Sequence, residues 1–191
     1  MAVIDTAHLF RIAIDLLCAE KVEYITIGGI AAGIWGDPRD TKDADFVVVL
    51  TPNQVGPLLR RARGIGFAIE EEIILMNLQI SGVARLLFQD RFVDFIVGET
   101  EFDRSALARR VRVSLYDREV WVASPEDLIL YKLVALRELD IADIRRILIR
   151  QGRRLDFAYL ETWTNELAEK IGKPEMATKL NVLRAEYGLL S

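Results

Sequence analysis

Two aspartates, Asp43 and Asp45, stand at the start of an apolar segment that runs from Phe46 to Leu50. In a β-strand the side chains at positions i and i+2 point to the same face, so these two carboxylates are expected side by side. Because burying unpaired carboxylates is costly, the pair requires a compensating cation. Oxygen ligands favour a hard ion, and the pair therefore predicts a site for Mg²⁺ or Mn²⁺.

A third aspartate, Asp94, is the only polar residue of the strand-like segment 92–97. Nothing in the local apolar pattern calls for a charge at this position. If this strand lies beside the strand of Asp43 and Asp45, the three carboxylates converge, and metal ions held there can bridge a phosphate and an attacking oxygen. The three aspartates are therefore the candidate catalytic and metal-binding residues.

Ordinary ion pairs are the alternative interpretation of these carboxylates. The first two would then form a solvated strand end paired with Lys42 or Arg39, and the third would pair with Arg91 or Arg85. Each of these alternatives is reasonable when taken singly. Together they require that the three carboxylates and the glycine pair in the preceding turn occur in this arrangement by several independent coincidences.

That glycine pair, Gly28 and Gly29, follows the strand-like segment 24–27 and precedes an apolar, alanine-rich segment that is expected to be a helix. Backbone N–H groups at the start of a helix can hold a phosphate group. Arg39 can add a bidentate contact to phosphate, although it can also pair with Asp37 or Asp40. A glycine pair alone is a weak signal, and its position gives it weight.

The order of elements predicts an α+β protein with a mixed sheet flanked by helices and a helical C-terminal region. The expected strands are 24–27, 43–50, 67–75, 84–88, 92–97, 111–115 and 120–123, and the expected helices are 6–20, 30–35, 52–63, 125–138, 141–150, 156–171 and 175–187. Ser124 and Pro125 mark the change to helical sequence as N-cap and first helical residue. We therefore expect a core at 1–123 and a helical region at 124–191.

Composition narrows the range of functions. The hydrophobic fraction of 51% is sufficient for a core, and the longest apolar runs are too short to span a bilayer. The single cysteine, Cys18, excludes an internal disulfide, fits a cytoplasmic location and is expected to be buried. The net charge of −4 argues against general nucleic-acid affinity. A run of arginines can track a phosphate backbone or form a solvated helix face: Arg145, Arg146, Arg150, Arg153 and Arg154.

The glycine pair and the three aspartates together resemble the nucleotidyltransferase fold of the DNA polymerase β type. The longer string 28–45, which includes Arg39 and Thr41, is similar to the minimal bacterial and archaeal branch with the AbiEii abortive-infection proteins and related toxin–antitoxin transferases. The resemblance covers residues 24–150. It implies that Gly28, Gly29, Arg39 and Thr41 belong to the nucleotide-binding site. Ile30 departs from the family, because many members carry a serine there.

A second, helical motif strengthens this resemblance. It consists of Pro125, Glu126, Asp127, Leu128, Lys132, Asp140 and Asp143. The resemblance implies that Lys132 contacts the triphosphate and that Asp140 or Asp143 supports the site. Without it, Lys132 would be a solvent-facing helix residue, and the two aspartates would be the acidic first turn of a helix.

The resemblance implies metal-dependent transfer of NMP from an NTP to a hydroxyl group. Asp43 and Asp45 would hold the metal that binds the triphosphate, and an acceptor oxygen near Asp94 would attack the α-phosphorus as pyrophosphate leaves. The acceptor can be RNA, a protein or a small molecule, and the residues do not choose among them. The alternative is a weakly active or non-catalytic subunit of a toxin–antitoxin or abortive-infection system, bound to its partner protein. No membrane association is expected.

Overall fold

The computed structural model describes residues 5–189. Within this range the α-helices are α1 (Thr6–Ala19), α2 (Gly28–Trp35), α3 (Pro52–Gly64), α4 (Glu71–Ser81), α5 (Glu101–Ala108), α6 (Pro125–Ala135), α7 (Glu138–Gln151), α8 (Phe157–Ile171) and α9 (Glu175–Glu186), with a short 3₁₀ helix at Gly152–Arg154. The strands are β1 (Glu23–Thr26), β2 (Ala44–Val49), β3 (Val83–Phe88), β4 (Arg91–Val97), β5 (Val111–Leu115) and β6 (Arg118–Val122).

The strands form one mixed sheet in the order β3-β4-β2-β1-β6-β5. The β2–β4 and β1–β6 pairs are parallel, whereas the other three neighbouring pairs are antiparallel. The β2 strand is central, and Phe46, Val47 and Val48 are fully buried, as expected for a strand covered on both faces. The expected α+β class with a mixed, helix-flanked sheet is confirmed.

The chain divides into two compact units. The first unit comprises residues 5–30 and 40–122, and the second comprises residues 31–39 and 123–189. The second unit therefore includes a short segment from the first half of the sequence. The domain boundary that the sequence predicts at residue 123 stays a prediction.

Aromatic packing holds the centre of the first unit together. The ring of Phe46 in β2 stacks on Phe10 of α1 at a centroid distance of 5.6 Å, and it meets Tyr24 and Phe95 at 5.9 and 5.8 Å. Such aromatic pairs contribute about 0.5–1.5 kcal/mol beyond the area they bury. This packing fixes α1, β1 and β4 around the strand that carries the aspartate pair.

In the second unit, helices pack around α6. Its residues Leu128, Ile129, Leu130 and Leu133 are fully buried. Ser124 caps the helix by accepting a hydrogen bond from the backbone N–H of Asp127 at 3.1 Å, as its sequence predicts. A helix that is apolar on several faces is expected to be surrounded by neighbours, and α6 contacts α7, α8 and α9.

The expected strand at 67–75 is wrong, because most of that segment belongs to α4. Only Ala68 makes an isolated bridge, to Leu87. Glu71 and Glu72 lie in the first turn of α4, where acids interact favourably with the helix dipole, and Gly82 ends the helix in the left-handed conformation, with φ 68°. Helix α5 was also not expected. Thr100 and Asp103 form its N-terminal capping box.

Three single-residue expectations are also corrected. Cys18 is exposed, because the apolar stripe of α1 faces the core from other positions, such as Leu17. Trp121 and Trp163, whose positions in the apolar pattern predict core residues, are instead half-buried. No helix among residues 5–189 has the length and apolar character that crossing a membrane requires.

Candidate active site

Strand register brings the three predicted aspartates into one region of the first unit. The parallel pairing of β2 with β4 sets Asp45 directly opposite Asp94. Asp43 lies two residues before Asp45 and accepts a hydrogen bond from the backbone N–H of Phe92 at 3.2 Å. Ala44, between the two aspartates, is fully buried on the other face. The two strands are therefore neighbours, which is the condition that convergence of the carboxylates required.

The glycine turn packs directly against this carboxylate region. Gly28 begins α2 with φ 67°, a left-handed conformation that favours glycine. A Cβ atom at Gly28 would lie 2.7 Å from Cγ and 2.8 Å from Cβ of Asp45, and closer still to its Oδ2. The backbone N–H of Ile27 donates to the Asp45 carbonyl at 2.9 Å. Gly28 is therefore required both for its conformation and for the close approach of Asp45.

Arg85 of β3 provides a cation beside the aspartates. Its Nε donates to Oδ1 of Asp94 at 2.8 Å and its Nη2 donates to Oδ2 at 2.6 Å, so the pairing is bidentate. The hydrogen bonds to Asp94 raise the pKa of Arg85; partial burial opposes this, and the charges of Asp94, Asp43 and Asp45 add to the increase. The ion pair with Arg85 that the sequence left open as an alternative for Asp94 is present.

The donor chemistry of this region fits a hard divalent ion. Three carboxylates and one guanidinium leave a net local charge of −2, and carboxylate oxygens are the ligands that Mg²⁺ and Mn²⁺ prefer. Across residues 5–189, however, no group of three acidic, histidine or cysteine side chains is arranged to hold a metal ion. Asp43 and Asp45 are the residues that fit the ion, whereas Asp94 gives both of its oxygens to Arg85.

Thr41 supports the backbone just before β2. Its hydroxyl donates to the carbonyl of Asp43 at 3.2 Å, and its own carbonyl accepts a hydrogen bond from the hydroxyl of Thr6. These contacts fix the entry of the chain into β2. The nucleotide-binding role of Thr41 stays a prediction, and so does that of Gly29 at the start of α2.

The other predicted binding residues form a buried ion-pair network in the second unit. Lys132 of α6 donates to Oδ1 of Asp140 at 3.2 Å and to Oδ2 of Asp143 at 2.7 Å. Arg39 binds Asp143 with Nε and Nη2, both at 2.9 Å. The side chains of Lys132 and Asp143 are only 5% and 1% exposed. The interpretation of Lys132 as a solvent-facing residue is therefore wrong.

Two further arginines complete this network. Arg146 donates to Oδ1 of Asp143 at 3.1 Å, and Arg137 donates to Oδ2 of Asp140 at 2.7 Å. Burial by itself would raise the pKa of both aspartates. Hydrogen bonds and charges from the surrounding cations outweigh burial: Arg39 and Lys132 lower the pKa of Asp143, and Arg137 and Lys132 lower that of Asp140. Both carboxylates are thus held in the charged form.

The arginine run of α7 has mainly intramolecular partners. Arg145 binds Glu186 at 3.0 and 3.2 Å, Arg146 binds Asp143, and Arg150 lies 3.9 Å from Asp37. Arg154 donates to the backbone carbonyls of residues 150 and 151. These contacts favour the interpretation of the run as a helix surface.

Comparison with protein families shows which family the chain belongs to. Residues 7–188 match the family described as nucleotidyltransferase of unknown function, DUF6036. The chain belongs to this family of nucleotidyltransferases. No curated protein matches its sequence. The resemblance to the DNA polymerase β-type superfamily is supported at this level, whereas the narrower AbiEii-like assignment is not.

Solved structures share the fold of this nucleotidyltransferase at low sequence identity. The lincosamide antibiotic adenylyltransferase LnuA, in its lincomycin-bound crystal structure, is 18% identical with a TM-score of 0.55, over 75% of this chain and 96% of its own. The antibiotic-resistance factor ANT(2'')-Ia is 14% identical with a TM-score of 0.63, over 90% and 97%. JHP933 from Helicobacter pylori is 13% identical with a TM-score of 0.51, over 98% and 95%.

The sequence analysis missed two members of the buried network, Arg137 and Arg146. Each lies three residues from the aspartate that it binds, on the same helix, so the pairs Arg137–Asp140 and Asp143–Arg146 have i,i+3 spacing. That spacing was visible in the sequence. Arg146 was interpreted only as part of a possible phosphate-binding run, and Arg137 was assigned no role.

Proposed function

We propose that this nucleotidyltransferase uses a divalent metal ion to transfer NMP from an NTP to a hydroxyl acceptor. The observation that carries the proposal is the register of β2 with β4, which sets Asp45 opposite Asp94 with Gly28 packed against Asp45. Charge neutralisation and positioning account for most of such catalysis. A divalent ion held by these carboxylates would supply both at one sheet region of the first unit.

Asp43 and Asp45 are the proposed metal ligands, and the bound ion would neutralise the phosphate charge of the NTP. The start of α2 at Gly28 and Gly29 offers backbone N–H groups to a phosphate oxygen. Because Gly28 lies against Asp45, the phosphate-binding turn and the metal ligands share one location. Asp94 is proposed to accept the proton of the attacking hydroxyl or to hold a second metal ion.

Arg39, Lys132 and Asp143 keep their nucleotide-binding role as a proposal. Arg39 is the more accessible of the two cations, with a side chain 20% exposed against 5% for Lys132. Lys132 is bound to two buried carboxylates, and moving it toward a phosphate would leave both with fewer partners. We therefore propose that Arg39 contacts phosphate, and that Lys132 and Asp143 hold Arg39 in place.

The acceptor hydroxyl belongs to RNA, a protein or a small molecule. LnuA was determined with lincomycin bound, and ANT(2'')-Ia with adenylyl-2''-tobramycin, so two proteins of this fold act on or bind small molecules. This supports including small hydroxylated compounds in the acceptor screen, beside total RNA and protein. The expected cytoplasmic location, where NTPs are available, also remains a proposal.

The test measures pyrophosphate release with ATP, CTP, GTP and UTP, with and without Mg²⁺ or Mn²⁺, followed by transfer of labelled NMP to each acceptor class. We expect metal-dependent release with at least one NTP. Asp43→Asn with Asp45→Asn should abolish it, and Asp94→Asn should reduce transfer by on the order of a hundredfold or more with near-normal NTP binding. Unchanged transfer in the Asp43/Asp45 variant would disprove the proposed site.

A binding subunit of a toxin–antitoxin or abortive-infection system is the second candidate. It is favoured by the exposed apolar side chains of α4, notably Ile73, Met76 and Ile80, the last 77% exposed. Apolar residues clustered on a surface often mark a protein interface. This candidate predicts no NMP transfer, together with a partner complex that Ile80→Lys weakens. Transfer that survives Ile80→Lys but not the aspartate substitutions would instead support the enzyme.

A further inference from the structure

The pairing of Arg85 with Asp94 combines an exposed cation with a buried anion. The side chain of Arg85 is 57% exposed, whereas that of Asp94 is 11% exposed. The two residues face each other across the antiparallel β3–β4 pair. An arginine on this neighbouring strand reaches both oxygens of Asp94 while most of its side chain remains in solvent, so it can leave without disturbing the core.

While it is paired with Asp94, the guanidinium of Arg85 also contacts an aromatic ring. Its guanidinium carbon lies 5.1 Å from the centre of the Phe92 ring, within the range of a cation–π contact. Phe92 directly precedes the buried part of β4. The ring contact and the ion pair therefore both hold the guanidinium against β4 in the metal-free protein.

The charge of Arg85 also acts on the two proposed metal ligands. The charges of Asp43 and Asp45 are felt at its guanidinium in addition to that of Asp94. A cation near these carboxylates stabilises them before a metal ion arrives, because it reduces their mutual repulsion. Once a divalent ion binds, the same positive charge opposes it.

We propose that Arg85 is a positioning residue that serves as an internal counter-ion of the carboxylate site: it holds Asp94 in the metal-free protein, opposes a divalent ion at Asp43 and Asp45, and must release Asp94 before this carboxylate takes up another cation. Arg85 thereby sets the metal affinity of the site. This inference rests on the proposed metal-dependent function. The chemistry it requires is an exchange of cations on Asp94, with no bond made or broken in the protein.

Removal of this charge should tighten metal binding. In Arg85→Met the dissociation constant for Mn²⁺ alone should fall by on the order of tenfold, because a like charge and a competitor for Asp94 are both lost. Arg112→Met is the matched control: Arg112 is 63% exposed and pairs with Glu119 at 3.1 Å on the β5–β6 hairpin. Its Mn²⁺ affinity should equal that of the wild type.

Isothermal titration calorimetry with Mn²⁺ and the Mn²⁺-dependent shift in melting temperature measure the Mn²⁺ affinity of each variant without an activity assay. Unchanged or weaker Mn²⁺ binding in folded Arg85→Met overturns the inference, as does equal tightening in Arg112→Met. If Arg85→Met does not fold, Arg85→Gln, which keeps hydrogen-bond donors without charge, takes its place, with the same expected tightening. Arg85→Lys, which retains the charge, should bind Mn²⁺ more weakly than either neutral variant.

The inference and the proposed function fail in different experiments. If the wild type transfers NMP and Arg85→Met binds Mn²⁺ no more tightly, only the counter-ion role is lost. If Arg85→Met binds Mn²⁺ more tightly and no variant transfers NMP, the counter-ion role stands and the catalytic proposal is lost. Absence of Mn²⁺ binding in every variant overturns both.

Discussion

Replacement of Lys132 by methionine tests whether the buried ion-pair network of the second unit stabilises the fold. Methionine keeps the length and apolar character of the lysine side chain and removes its ammonium group. The substitution leaves Asp140 and Asp143, with side chains 4% and 1% exposed, without their shared cation. We expect a large loss of stability. The triphosphate contact that the family resemblance implies for Lys132 would instead predict weaker NTP binding with an unchanged fold.

The size of the loss follows from burial and from the partners that remain. Removing one member of a buried ion pair typically costs about 3–5 kcal/mol, because the other charge stays buried without compensation. Asp143 retains Arg39 and Arg146, and Asp140 retains Arg137. The lower end, about 3 kcal/mol, is therefore expected. In a chain of this length that corresponds to a fall in melting temperature of about 6–12 °C.

Arg145→Met is the matched control, since Arg145 lies on the same helix and pairs with Glu186, and these two side chains are 44% and 36% exposed. An exposed pair contributes about 0–1 kcal/mol, so its loss should lower the melting temperature by no more than about 4 °C. Urea and thermal unfolding of both variants give the comparison. The double variant Lys132→Met with Asp143→Asn should lose less than the sum of its single changes, because the residues are coupled.

NTP binding separates the structural role from the ligand role. If Lys132→Met is as stable as the wild type and binds NTP much more weakly, the buried-network reasoning is refuted and Lys132 is a phosphate ligand. If stability falls by about 3 kcal/mol and the folded variant binds NTP normally, Lys132 acts through the fold. A loss of both stability and NTP binding supports the proposed role of Lys132 in holding Arg39 in place.

Two other predictions concern the glycine turn and acid stability. Gly28→Ala should displace Asp45 and add about 1–2 kcal/mol of backbone strain, so that Mn²⁺-dependent thermal stabilisation is lost. Gly33→Ala is the control in the same helix, because its Cβ would lie at an ordinary 3.5 Å from its nearest neighbour. This variant should keep the Mn²⁺-dependent stabilisation. Because the pKa values of Asp140 and Asp143 are lowered by folding, their stabilisation is complete above the unfolded value of 3.8 and is lost as the pH falls below it. Unfolding free energies between pH 5 and about 2 should therefore depend less on pH in Asp140→Asn, and an equal dependence in wild type and variant contradicts the lowered pKa.

The carboxylate region could be predicted from the sequence because it depends on simple periodicity. Asp43 and Asp45 share a face through the two-residue repeat of a strand, and an apolar run marks β2 as central. Asp94 was visible as a charge in an apolar strand. The adjacency of β2 and β4 was a condition that the sequence could state but not establish, since strand order depends on packing between segments far apart in the chain.

Helix α4 and the ion-pair network could not be predicted from the sequence, for two different physical reasons. Ile73 and Ile74 have high strand propensity, but only Ile74 is buried in α4. Local propensity therefore did not predict how this segment packs. Lys132 and Arg39 are brought to Asp143 from positions 11 and 104 residues away. A lysine in a helix carries no local signal of burial, because its exposure depends on which helices surround it.

The two charged clusters show how burial separates structure from function in this protein. Asp143 is almost fully buried and receives three cations from its own unit, so its charge is compensated permanently. Asp94 is also buried, yet its guanidinium partner lies mostly in solvent. Loss of Arg85 alone would leave a buried charge uncompensated, whereas a metal ion that replaces Arg85 keeps that charge compensated. A carboxylate whose counter-ion can be exchanged in this way is suited to take up a metal ion, whereas one held like Asp143 is suited to hold helices together.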